Sequence, residues 1–170
     1  MPISMSSASV PVFVRMLDSL AAWLDKALLH AQAKKYDADA VLPAARLAPD
    51  MLPFASQVRI ACDSAKFAVA RLAGVEAPKD PDDEKTLAEL KERVRRTLAF
   101  VQSVPAERID GSEEREVTIP RRGEAMTMQG EAYLKHFALP NFFFHVTTAY
   151  AILRHNGVEL GKMDYLGSAK

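Results

Sequence analysis

His145 is the residue from which a chemical role can first be read. On a helical wheel, Asn141, Phe142, Thr148, Ala149 and Ile152 all lie within about 60° of it, and Phe143 and Arg154 lie roughly opposite. The imidazole therefore sits at the centre of the stripe that this helix must turn inward, one turn after Asn141 and one turn before Thr148. Polar groups stacked along a core-facing line need hydrogen-bond partners or a ligand. Two readings follow: a histidine that bridges helices inside the core, or a contact to a ligand or metal in the bundle interior. A metal site would need further donors. The position one turn before His145 holds Asn141, the position one turn after holds Ala149, and an amide is a poor transition-metal ligand. Carboxylates such as Asp50 or Asp63 would have to come from other segments, so a divalent metal is not the favoured occupant.

The remaining candidates are weaker. Gln57, Ser64 and Arg71 form a polar ridge along one helix, from which Gln57 could reach the His145 cavity; Asp63, between Arg59 and Lys66, can pair with either. His30 and Trp23 lie at the edge of an apolar face, His136 precedes the last helix, and His155 lies near its end. Cys62 reads as a small buried hydrophobe, since no local motif marks it as a nucleophile. No glycine spacing matches a phosphate loop. Met126 and Met128 read as packing, and Arg121 and Arg122 as two charges on a turn.

Four helices must position these groups. The first is predicted from Ser9 as N-cap, with Pro11 in the first turn, to about Gln32; Phe13, Met16, Leu17, Leu20, Leu24, Ala27, Leu28 and Ala31 form its apolar arc. Pro43, Pro49 and Pro53 make residues 34–53 a crossover that packs over the bundle. The second helix runs over residues 53–73, ending at Gly74, with Phe54, Val58, Ala61, Ala65, Ala68 and Leu72 as its stripe. Ile60, Phe67 and Val69 widen that surface beyond a single stripe. Asp80, Asp82, Asp83 and Glu84 suit the positive end of the third helix, whose Leu87, Leu90, Val94, Leu98 and Val101 face the core. Glu89–Arg93 and Glu92–Arg96 are i,i+4 pairs expected on its solvated face. Residues 116–119 and 125–128 alternate with period two and predict a small hairpin. A short helix or turn follows over 131–137, then the last helix from Pro140 or Asn141 to His155, closed by Asn156 and Gly157. A tail anchored by Leu160, Met163, Tyr165 and Leu166 completes an all-α four-helix bundle, with one domain expected over residues 1–170.

Composition agrees with that fold and narrows the function classes. The chain has 170 residues, 49% hydrophobic, with 22 basic and 22 acidic side chains, which argues against a generic nucleic-acid binder or a polybasic membrane protein. Its single cysteine excludes an internal disulfide framework and a Cys-based zinc cluster. No apolar run is long enough to span a bilayer, and no signal-peptide pattern precedes the first helix, so the cytoplasm is the expected compartment. Phe142, Phe143 and Phe144 are consecutive and point three ways around one helix. With the broad apolar surface of the second helix, this motivates a homodimer.

Leu47-Ala48-Pro49-Asp50-Met51-Leu52-Pro53-Phe54 and residues 57–63 resemble the central signature of a bacterial domain-of-unknown-function family; residues 139–145, 150–157 and 161–162 resemble its C-terminal signature. That family is placed near the DinB/YfiT-like four-helix bundles, described as metalloenzymes. The resemblance implies a DinB-like fold, a pocket at the mouth of the bundle lined by Asn141 and His145, and a dimer. In that wider group, thiol-dependent transferases, isomerases and hydrolases hold a divalent metal with three histidines, one from the second helix and two, spaced by four, from the last. Here the matching positions carry Gln57, Asn141 and His145. The expected function is therefore small-molecule binding by His145, Asn141, Gln57, Thr148 and Asp63, with the metal site degenerate or absent. The alternative is a metal-dependent thiol transferase or a hydrolase that uses His145 as general base.

Overall fold

The computed structural model describes residues 3–120 and 122–167. Its elements are α1 (Met5–Lys34), α2 (Ala38–Val41), α3 (Phe54–Ala73), α4 (Leu87–Ser103), α5 (Ala106–Ile109), β1 (Glu116–Ile119), β2 (Met126–Gln129), α6 (Gly130–Tyr133), a π-helical turn (Leu134–Ala138), α7 (Leu139–His155) and α8 (Lys162–Leu166). The four long helices form the predicted bundle, with α1 and α3 on a diagonal and α4 and α7 each packed between them. Among the described residues, no helix is long and apolar enough to cross a membrane.

The predicted stripes build the core. Phe13, Leu17, Leu20 and Leu24 of α1, the whole Phe54-to-Leu72 stripe of α3, and Leu87, Leu90, Val94 and Val101 of α4 are buried, while Leu28 and Leu98 lie at its margin. Phe142 of α7 meets Phe13 edge-on, and Trp23 meets Tyr150, so α1 and α7 run parallel. Gln57 faces His145 and Ser64 faces Asn141, so α3 and α7 run antiparallel.

The polar face of α4 departs from expectation. Arg93 is 1% exposed and ringed by Asp63, Asp80, Asp82 and Glu84, at 2.7 to 3.5 Å. The Glu89–Arg93 and Glu92–Arg96 pairs do not form: Glu89 caps the helix through the Lys85 and Thr86 amides, and Glu92 pairs with Arg95. The acidic run is likewise not in the first turn of α4, whose N-cap is Thr86. It lies in the segment before it, where Asp80 binds Lys66 and Glu84 binds Arg59. The physical reason is topological. Arg59 pairs with Glu84 and Asp63 with Arg93, so α4 runs parallel to α3, and the chain must return about 21 Å from Ala73 to the level of Arg59. Four cations, Arg59, Lys66, Arg93 and Arg96, and four carboxylates fasten that return strap. Burial alone would raise the Asp80 and Glu84 carboxyls. Hydrogen bonds from Lys66 and Arg96 to Asp80, and from Arg93 and Arg59 to Glu84, outweigh it and hold both below their ordinary values.

Other boundaries shift for local reasons. α1 begins at Met5 because Ser4 and Ser7 form a capping box; Ser9 is inside the helix and buried, its hydroxyl donating to the Met5 carbonyl, and Pro11 lies in the second turn. The hairpin forms, with Ile119 opposite Met126 and Glu116 opposite Gln129. Pro140 does not begin the last helix. Helical structure runs unbroken from Gly130 through His155, because the π-helical turn widens the backbone just before the ring that would otherwise clash with the carbonyl four residues back. In the tail, Leu160 is buried and Tyr165 stacks on Trp23 at 5.7 Å, whereas the Met163 and Leu166 side chains are exposed and Leu166 is held only through its carbonyl, which accepts from Arg15. Arg122 is exposed; Arg121 and residues 168–170 lie outside the described residues.

Candidate functional site

The α3–α7 seam brings together two of the five site residues directly. His145, 9% exposed, places Nδ1 2.7 Å from Oε1 of Gln57. The Gln57 amide is itself oriented, because Nε2 donates at 3.0 Å to the Leu52 carbonyl, which can only accept. Oε1 must then face the ring, so Nδ1 carries the proton and Nε2 carries the lone pair. Burial disfavours the imidazolium and lowers the pKa of His145 below its ordinary value. Nε2 has no protein hydrogen bond, and the only side-chain polar atoms both sealed and without a hydrogen bond among the described residues are Arg93 Nε and Ser112 Oγ. Nε2 therefore keeps an opening to solvent. Phe144, 55% exposed, lies edge-on to the imidazole at 5.2 Å between centroids.

The other three residues separate from this pair. Thr148 is buried and spends its hydroxyl proton on the Phe144 carbonyl, within its own helix. Asn141 Nδ2 donates to Ser64 Oγ at 2.7 Å, one turn from His145. Asp63 Oδ1 accepts from Lys66 and Arg93, both at 2.9 Å, and belongs to the α4 strap. A cavity of about 150 Å³ opens between α3 and the α6–α7 run; Asp63, Ser64, Arg71, Tyr133, Phe137 and Asn141 are among its lining residues, and His145, Gln57 and Thr148 are not. Arg71, read from sequence only as part of a polar ridge, is thus a cavity residue. Tyr133 carries no sequence signal of its own: it lies two turns ahead of Asn141 across the π-helical turn, a relation visible only in three dimensions.

The donor set does not make a three-histidine metal centre. Gln57 commits its amide to His145 and Leu52, Asn141 commits its amide nitrogen to Ser64, and one imidazole nitrogen remains. Among the described residues, no group of three or more His, Cys, Asp or Glu side chains is placed to hold a metal ion. Asp50 is exposed, and His136 and His155 face solvent elsewhere. Cys62 is no substitute nucleophile: it is fully buried, and burial pushes its thiol up to about 12.

No protein of curated function matches the sequence. Among solved structures, a DinB family member protein from Shewanella denitrificans is 42% identical, with a TM-score of 0.87 over 96% of this chain and 92% of that one. The two chains share the helical bundle as an overall architecture. The model of the domain-of-unknown-function family DUF1993 matches residues 5–166, from the first turn of α1 to the last residue of α8, and the chain belongs to that family.

Proposed function

We propose that this DinB-like bundle binds a small molecule along the α3–α7 seam, oriented by His145 Nε2 and Asn141, and does so without the three-histidine metal centre. The observation that carries the reading is the Gln57 relay, which fixes one tautomer of a buried imidazole and leaves its lone pair at an opening. A purely structural histidine gains nothing from an unspent acceptor at the surface of the core. The exposed Phe144 beside the ring and Leu52 beside Gln57 supply an apolar rim, which also supports a homodimer seated over this face.

A second reading rests on the same atom. A neutral imidazole with Nε2 free is the form a general base must have near pH 7, so water activation in a hydrolase is its catalytic version.

The test is a ligand-observed NMR screen of small polar fragments against the wild-type chain, His145→Ala and Asn141→Ala. Fragments that bind the wild type and lose binding in both variants are the expected result. Fragments that bind all three equally would overturn the reading.

A further inference from the structure

Arg71 differs from the other cations of α3. Arg59 and Lys66 both rest on carboxylates, whereas no acidic side chain of the described residues pairs with Arg71. Its guanidinium instead lies over two rings, with its central carbon 5.1 Å from the centroid of Phe67 and 5.7 Å from that of Tyr133. Nη1 donates to the Tyr133 hydroxyl at 3.0 Å.

That bond exposes a second unspent group. Arginine can only donate, so the tyrosine oxygen is the acceptor, and the phenolic proton has no acceptor of its own among the described residues. Yet Tyr133 is 1% exposed, stacked on Phe137 at 5.9 Å. A buried hydroxyl with an unused proton, beside a half-buried guanidinium with no counter-ion, is an arrangement that costs stability unless something accepts from both. Both side chains line the 150 Å³ cavity.

The rest of the lining specifies what would fit. Asp63 is the one carboxylate among the described lining residues, and its charge is matched by Lys66 and Arg93, so the net charge facing the cavity is that of Arg71. At the other end, Ser64 donates to the Ile60 carbonyl and accepts from Asn141 Nδ2, which leaves Asn141 Oδ1 as an open acceptor. Ile60, Phe67, Phe137 and Ala138 make the walls between apolar. Arg71 leans back to the level of Phe67, so the two polar ends are separated along α3 by about 5 Å, the rise from Ser64 to Phe67.

We propose that this cavity is a carboxylate-binding site, with Arg71 and the Tyr133 hydroxyl donating to the anion and Asn141 accepting from a hydroxyl or amine at the far end of a short chain. The assignment deepens the small-molecule reading, on which it rests for the role of Asn141, and names the ligand class as a short hydroxy- or amino-carboxylate.

The probe is β-hydroxypropionate, titrated by calorimetry at constant ionic strength into the full chain, Arg71→Gln, Tyr133→Phe and His145→Ala, each checked for folding by circular dichroism. Saturable binding to the wild type is expected, with affinity falling about tenfold or more in Arg71→Gln and in Tyr133→Phe, as loss of a hydrogen bond to a charged group implies. Propionate should bind more weakly, because it cannot use Asn141, and propionamide more weakly still. Absence of binding to the folded wild type, equal binding to Tyr133→Phe, or equal binding of propionamide would each overturn the carboxylate site. His145→Ala keeps the two readings apart: unchanged affinity there, with loss in the other two, upholds this cavity and counts against His145 as a contact for this ligand.

Discussion

Replacing Gln57 by glutamate probes the imidazole without removing it. The wild-type ring faces a neutral oxygen at 2.7 Å, and burial keeps its pKa below the ordinary imidazole value. A carboxylate in that place would set two unit charges about 4 Å apart, worth about 4 kcal/mol at an effective dielectric constant of 20. At 1.36 kcal/mol per unit, that is roughly a 3-unit rise at most. Desolvation of the new carboxylate, and its repulsion from the Leu52 carbonyl that Gln57 now satisfies, take part of it back, so a rise of about 1–3 units is expected. Long-range ¹H–¹⁵N spectra of histidine-labelled protein give both the tautomer and the titration curve. Stability must follow with opposite signs. In the wild type the folded pKa is depressed, so this group's contribution is present above the unfolded value and is lost as pH falls through the folded one. In Gln57→Glu the folded pKa is raised, so the contribution is present below the unfolded value and is lost as pH rises through the folded one. A wild-type ring protonated on Nε2, or coincident titrations of the two proteins, would refute the relay.

Arg93→Ala should cost about 3 kcal/mol, the low end for breaking a buried ion pair because Arg59, Lys66 and Arg96 still serve three of its carboxylates, and thermal denaturation should show a Tm loss of roughly 6–12 °C. Because the Asp80 and Glu84 carboxyls are held low, that gap should narrow as pH falls through their depressed values, and a gap constant down to acid pH would contradict the strap. Gly130→Ala would drive a Cβ into the Ser112 carbonyl oxygen, so urea denaturation should report a loss of about 3 kcal/mol, and a neutral result would mean that the start of α6 does not pack against the loop at Ser112. Sedimentation equilibrium at micromolar concentration should give a dimer that Phe144→Glu dissociates; a wild-type monomer would remove the homodimer. Protein purified without a histidine tag should carry no stoichiometric zinc by elemental analysis, and zinc at one per chain that disappears in His145→Ala would restore the metalloenzyme alternative.

What was legible in the sequence was what periodicity encodes. The α1, α3 and α4 stripes, the hairpin alternation and the inward position of His145 are all one-dimensional signals, and the structure keeps them. The fate of Arg93 was not such a signal. A charge on a helix reads as solvated until it is known that an acidic loop folds back over it, and the direction of α4 relative to α3 is set by the whole chain rather than by that segment. Ser4 has a simpler reason to escape sequence reading: Pro11 points to a helix start nearby, whereas the Ser4–Ser7 capping box starts the helix one and a half turns earlier, with the proline inside it. The Gln57–His145 pairing was anticipated as a reach between helices. The separation of Asn141 and Asp63 from it was not, because both positions sit on the correct faces but bond to different neighbours.

The π-helical turn at Leu134–Ala138 holds one residue more than an α-helical turn would. The wider turn absorbs that residue, so the segments on either side keep nearly the phase one α-helical turn would give, and Tyr133 ahead of it stays aligned with Asn141 and His145 behind it. A further residue inserted after this turn with ordinary α-helical geometry would swing Asn141 and His145 about 100° around the axis relative to Tyr133, parting the two ends of the seam while leaving every side chain in the chain. The alignment of the phenol with the amide is thus a matter of residue count, and a length change of one in this stretch would mark a relative with a different cargo.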